Sequence, residues 1–285
     1  MPQSSRLAID LTGGLIRVVD GAVGGPLRCG SGGTPAGSLV DGKVMDVGAV
    51  GAALRQLLAR TEIHETKALI AASDAVATFR VFKVPPDATD SDIDAFVARE
   101  LPLDPERMST RWIDVSATPA YRVVYAVCWD RSLIKAITDA ARHAGLDPIV
   151  VDLKSACVAR TVAAPACVVL DTVSSPAEIV LIDGHAPQVW HSFKLDVAVD
   201  DIGPSLAGPL STVLHFYERR RDTEFDPSAP ILVAGEQGLT SRATAMLSQQ
   251  LEHPVLPLPL PPRVPQEIRF ATYLTCLGLL MRRAA

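Results

Sequence analysis

Two short stretches of this chain set a carboxylate at the end of an apolar run and follow it with small residues. Residues 7–21 read LAIDLTGGLIRVVDG, with Asp10 ahead of Thr12, Gly13 and Gly14. Residues 168–184 read VVLDTVSSPAEIVLIDG, with Asp171 ahead of Val173, Ser174 and Ser175 in a longer turn. Apolar runs around a small-residue turn read as strand–loop–strand. Glycine lets backbone N–H groups crowd around an anion, and a strand-end carboxylate can hold magnesium through water. The chemistry on offer is therefore phosphate binding, with Asp10 as the metal ligand. The plain alternative is that both aspartates shape their own turns by accepting backbone hydrogen bonds. The repetition implies a duplicated architecture with a cleft between its halves.

Other candidate chemistry is thin. The run GSGG at residues 30–33 has no G-K-[ST] ending and no helix pattern directly after it, so a loose strand and loop is the better reading. Six histidines make no H-x-x-x-H pair, and five scattered cysteines make no C-x-x-C, which argues against a metal site and fits a reduced cytoplasm. Arg219, Arg220 and Arg221, flanked by Glu218 and Asp222, read as a solvated helix end. The net charge of −5 excludes an ordinary nucleic-acid surface. With 48% hydrophobic and 21% charged residues the chain is globular, and its 285 residues fit about two domains. No apolar run approaches a membrane span, and no basic-then-apolar leader is seen.

The elements that must position the two aspartates follow from periodicity. Val50, Leu54, Leu57 and Leu58 stand at helical spacing over 47–59, and 67–72 is a short buried strand. Residues 77–84 alternate as a strand, and Asp90 or Ser91 caps a helix presenting Ile93, Phe96, Val97 and Leu101. Strands follow at 112–115 and 123–128, then a helix over 133–144 with Asp130 as N-cap and Gly145 as its stop. Residues 73 to about 130 thus read as a small inserted β-α-β-β subdomain. A strand near 149–151 and a short helix lead to the second hairpin and a third strand at 188–193. A helical span, 197–221, a strand at 231–234, a helix at 240–251 and a strand at 255–256 complete this half. Six prolines in 254–265 make an extended strap, or alternatively a polyproline ligand. A buried helix over 267–283 closes the chain.

The order of these parts resembles the actin-like ATPase superfamily, and within it the PilM/FtsA branch that includes type IV pilus assembly proteins. The resemblance rests on LAIDLTGGLIRVVDG, on GSLVDGKVMDVGAVGAALRQLL, on FRVFKVPP followed by VARELPLDPERMSTRWIDVS, and on YRVVYAVCWDRSLIKAITDAARHAGLDPIVVD with the closing FATYLTCLGLLMRR. It implies an α/β fold of two duplicated RNase H-like halves with an inserted α+β subdomain. The first domain would take residues 1–72 and 266–285, the insert 73–145, and the second domain 146–265.

The resemblance also implies a cytoplasmic scaffold, held at the inner membrane through partners, that binds ATP and Mg2+ between its halves. Its partner would be the N-terminal cytosolic peptide of a PilN-like inner-membrane protein, gripped between the first domain and the insert; self-association stays open. By position, Asp10, Thr12, Gly13 and Gly14 would form the first phosphate loop, with Asp10 toward the metal. Asp171, Val173, Ser174 and Ser175 would form the second, and Gly235 with Glu236 the adenosine turn. Three departures stand against a working nucleotide site. The second loop reads Asp171-Thr172-Val173 where the family has Asp-x-Gly, and a valine at a positive-φ position would be strained. The adenosine turn opens Ala234-Gly235 rather than Gly-Gly, and the short span from Phe193 to Ile231 leaves no room for the family's second inserted subdomain. The expectation is an adaptor with a degenerate nucleotide site and no catalytic residue. The alternatives are an active ATPase, for which no general base matches, and the cytoplasmic domain of a GspL-like type II secretion protein. GspL continues into a membrane helix and FtsA into a membrane-binding one, neither of which this sequence displays.

Overall fold

Residues 7–9 and 168–170 are apolar without a break, the pattern of strands covered on both faces. A computed structural model of the chain describes residues 6–101, 104–173, 176–195, 203–235 and 239–282. In chain order its elements are β1 (Arg6–Asp10), β2 (Leu15–Gly21), β3 (Leu27–Gly33), β4 (Leu39–Val40), β5 (Lys43–Val44), α1 (Val47–Arg60), β6 (Lys67–Ala72), β7 (Ala77–Val84), α2 (Asp90–Glu100), β8 (Met108–Ala117), β9 (Arg122–Asp130), α3 (Arg131–His143), β10 (Asp147–Leu153) and α4 (Lys154–Thr161). They continue with β11 (Cys167–Asp171), β12 (Ala177–Asp183), β13 (Ala186–Phe193), α5 (Gly203–Arg221), β14 (Ile231–Ala234), α6 (Ser241–Leu251), β15 (Val255–Pro257) and α7 (Leu274–Leu280). The chain divides into two compact units, Met1–Cys157 with Thr275–Ala285, and Val158–Leu274.

In the first unit β1, β2 and β3 form an antiparallel meander, and β6 and then β10 extend the sheet in parallel on the other side of β1, giving the order β10-β6-β1-β2-β3. One face of this sheet, with Leu7, Ile9, Ile16 and Val18, packs on α1 and α3. Helix α1 forms because its apolar residues fall on one stripe and Asp46 caps it, accepting from Ala49 N at 2.9 Å. The glycines of the GSGG run lie in β3, and their use is close approach. A Cβ on Gly30 would stand 2.2 Å from Thr61 Cγ2, so the helix seats against the strand only because no side chain intervenes.

The same unit carries a second, three-stranded sheet in the order β7-β9-β8. Its core joins Phe82, Val84, Val124 and Ala126 to Ile93 and Val97 of α2. The cap of α2 is Thr89, not Asp90 or Ser91: its hydroxyl accepts from Asp92 N while the Asp92 carboxylate accepts from Thr89 N, a capping box. Strand β8 runs longer at both ends than the 112–115 expected, because its outer residues are exposed and carry little apolar signal. Helix α3 was placed with the insert, yet Ile137, Ala140 and Ala141 belong to the α1 core.

In the second unit β11, β12 and β13 form the meander, with β14 and β15 in parallel beyond β11. The order β15-β14-β11-β12-β13 repeats that of the first sheet strand for strand. Helices α5 and α6 cover it through Leu206, Leu210, Leu214 and Leu247. The beginning of the expected 197–221 helix lies outside the described residues up to Ile202; the described part is α5. The proline strap starts as β15, tied by Leu258 N to Val233 O at 2.8 Å. The expected closing helix over 267–283 is shorter: Phe270–Tyr273 make a 3-10 turn, and only α7 is α-helical.

Candidate functional site

At the first hairpin, β1 ends on Asp10, and the register of β1 with β2 sets Arg17 directly across from it. Both residues are buried, at 2% and 4% exposure. Oδ1 of Asp10 accepts from Thr12 N at 3.0 Å and from the Thr12 hydroxyl at 2.6 Å. Its Oδ2 is met by the Arg17 guanidinium at 3.3 Å. Arg17 Nε is buried with no hydrogen-bond partner among the described residues. The Cys276 thiol donates to Arg17 O at 3.4 Å, which brings α7 onto the sheet face that holds this pair. Gly14 lies exposed at the tip of the turn, where a Cβ would meet nothing within 4 Å, and its carbonyl accepts from Thr34 N at 3.0 Å.

At the second hairpin, Asp171 ends β11, buried at 5% exposure, and its Oδ1 accepts from Val173 N at 3.0 Å. The residue across from it in β12 is Glu178, also buried, whose Oε2 accepts from the Trp190 indole at 2.8 Å. Val173 is not among the residues with positive φ, so the strain expected there is absent: the backbone passes in an ordinary conformation. Thr172 binds Ala234 O through its N at 3.0 Å and its hydroxyl at 3.1 Å. That hydroxyl fills the space beside Gly235, where an ideal Cβ would stand 2.1 Å from Thr172 Oγ1 at a φ of +141°. Asp171 and Gly235 are thus brought together at the ends of adjacent parallel strands of one sheet. Ser174, Ser175 and Glu236 lie outside the described residues.

Among the sequence candidates, Asp10, Thr12, Gly13 and Gly14 form one loop, as spacing required. Arg17 was missed, although an arginine inside the apolar run LIRVV is a signal for a buried acidic partner. Glu178 and Trp190 were missed because the register that sets Glu178 across from Asp171, and the indole bond to Glu178, are not written in local sequence.

The residues around Asp10 do not fit magnesium. Both carboxylate oxygens are engaged internally. A divalent ion about 5 Å from a guanidinium is repelled by about 7 kcal/mol at an effective dielectric near 20, which cancels most of the attraction of about 8 kcal/mol that one carboxylate offers through an intervening water at about 4 Å. Among the described residues no group of three or more His, Cys, Asp or Glu could hold a metal. The loop's exposed glycine tip suits an anion better than a cation. Burial also works against two of the thiols as nucleophiles, pushing Cys29 up to about 11 and Cys167 to about 12. No described helix is long and apolar enough to cross a membrane.

No protein-family model and no curated protein matches this chain. Solved structures do. A chain of the PilM–PilN type IV pilus biogenesis complex matches with a TM-score of 0.75 at 18% identity, over 98% of both chains. The cytoplasmic domain of EpsL, an inner-membrane component of the Vibrio cholerae type II secretion system, matches with a TM-score of 0.56 at 13% identity, over 99% of this chain and 97% of that one. A Bacteroides thetaiotaomicron protein of unknown function with an actin-like ATPase fold matches with a TM-score of 0.52 at 9% identity, over 99% and 97%. The chain has the actin-like ATPase fold, built from two sheets of identical strand order.

Proposed function

We propose that this protein is a non-catalytic adaptor of a pilus-type machine: a PilM-like cytoplasmic scaffold that grips the cytosolic segment of a PilN-like inner-membrane protein. The observation that carries this reading is the likeness to a chain of the PilM–PilN complex along nearly the whole of both chains, 98% of each. The groove between the first domain and the insert is the proposed seat of the peptide. Turnover of ATP is absent from the proposal because Asp10 is engaged by Thr12 and Arg17, and Thr172 by Ala234 in the hollow at Gly235.

A second reading, the cytoplasmic part of a GspL-like secretion protein, is favoured by the EpsL likeness, again over almost the full length of both chains. The experiment is a titration of the full chain with synthetic N-terminal peptides of the PilN-like proteins of its own organism, beside peptides from secretion-system membrane proteins. Saturable binding of a PilN-like peptide, with no phosphate released from ATP, supports the adaptor. Binding of secretion peptides alone supports the second reading, and ATP hydrolysis above a boiled control overturns both.

A further inference from the structure

The two hairpins differ most at the residue facing the aspartate, and the first of them carries a cation of its own. Arg17 stands opposite Asp10 in the strand register, is 4% exposed, and places its guanidinium 3.3 Å from Oδ2. Oδ1 is already filled by two donors from Thr12. A carboxylate set in a strand-end loop near glycines is the usual invitation to a hydrated divalent ion. Here the invitation is answered by a side chain that cannot lose its charge and cannot leave the strand. Burial strengthens the effect, because the repulsion between a guanidinium and an arriving cation is poorly screened away from water. The second hairpin supplies the contrast within the same molecule. Its aspartate faces Glu178, so that the cationic device belongs to only one of the two hairpins.

We propose that Arg17 is a built-in counter-ion that excludes divalent metal from the Asp10 loop. Arg17 acts as a specificity-determining residue, and the loop keeps its shape at any metal concentration. This deepens the reading of a scaffold without turnover, and it can fail separately, since metal binding is measured with no peptide or nucleotide present.

The probe is Mn2+ alone, followed by its electron paramagnetic resonance signal on the full chain. Wild type and Asp10→Asn should bind Mn2+ equally weakly. Arg17→Gln, checked for native circular dichroism, should bind at least tenfold more tightly, and Asp10→Asn in that background should abolish the gain. Folded Arg17→Gln with no tighter binding overturns the proposal. So does wild-type Mn2+ binding that Asp10→Asn removes, an outcome that decides the matter even where Arg17→Gln fails to fold.

Discussion

The two hairpins share one backbone device and differ in charge. In both, Oδ1 of the strand-end aspartate accepts from the N–H two residues on, at 3.0 Å. In both, the next residue donates its N–H to the carbonyl of a neighbouring parallel strand: Leu11 to Ala71 at 3.2 Å, and Thr172 to Ala234 at 3.0 Å. The side chains then diverge. Thr12 adds a hydroxyl to Asp10, whereas Val173 has none to give Asp171. Arg17 neutralises Asp10 across the ladder, whereas Asp171 shares its rung with Glu178, which takes the Trp190 indole. The lesson is that an aspartate-closed turn is self-sufficient: it holds a loop in shape whether or not a ligand is there. Ligand chemistry resides in what surrounds the turn, and that part differs between the two halves.

Breaking the ion pair is the harshest way to test that contrast. Arg17→Leu leaves a buried, uncompensated Asp10 and should cost about 3–5 kcal/mol, read as a lower urea midpoint; Asp10→Asn in the same background should return a good part of it. Next comes Gly235→Ala, which drives a Cβ into Thr172 Oγ1 at a φ of +141°. Overpacking and backbone strain together should cost about 3 kcal/mol, and Thr172→Ala should relieve the packing share while leaving the strain. On the other side of the comparison, Trp190→Phe removes a donor from buried Glu178 and should lower stability by about 2 kcal/mol, read as a lower urea midpoint.

The smallest effect is expected far from either hairpin. Asp130 caps α3, and bonds from Ser132 and then Arg107 hold its carboxyl down at about 2. A depressed folded value means its stabilisation is complete above the unfolded value of about 4 and drains away as pH falls toward 2. Asp130→Ala should therefore flatten the acid side of the stability curve between about pH 4 and 2, and leave its shape near neutrality unchanged.

Much of this architecture is legible in the sequence for physical reasons. Unbroken apolar runs mark β1 and β11 because those strands are covered on both faces, and the stripe Val50–Leu54–Leu57–Leu58 marks α1 because only a helix puts those residues together. The aspartates at the strand ends were visible for the same reason: charge appears where the apolar run stops. What stayed hidden was non-local. Nothing near Leu133 says that α3 packs on α1, since amphipathic spacing names a face and not its partner. Arg17 and Glu178 acquire meaning only through register, and a one-residue slip would have exchanged them for Val18 and Ile179. Thr172 at Gly235 is hidden more deeply, because it joins residues far apart in the chain through a parallel strand pair.

The measurement that tests the account most directly is isothermal titration of the full chain with a PilN-like N-terminal peptide, run once in EDTA and once with magnesium and ATP. An adaptor whose Asp10 carboxylate is engaged within the fold should give the same dissociation constant in both, within a factor of about 2. Binding that appears only with magnesium and ATP, accompanied by released phosphate, would contradict it.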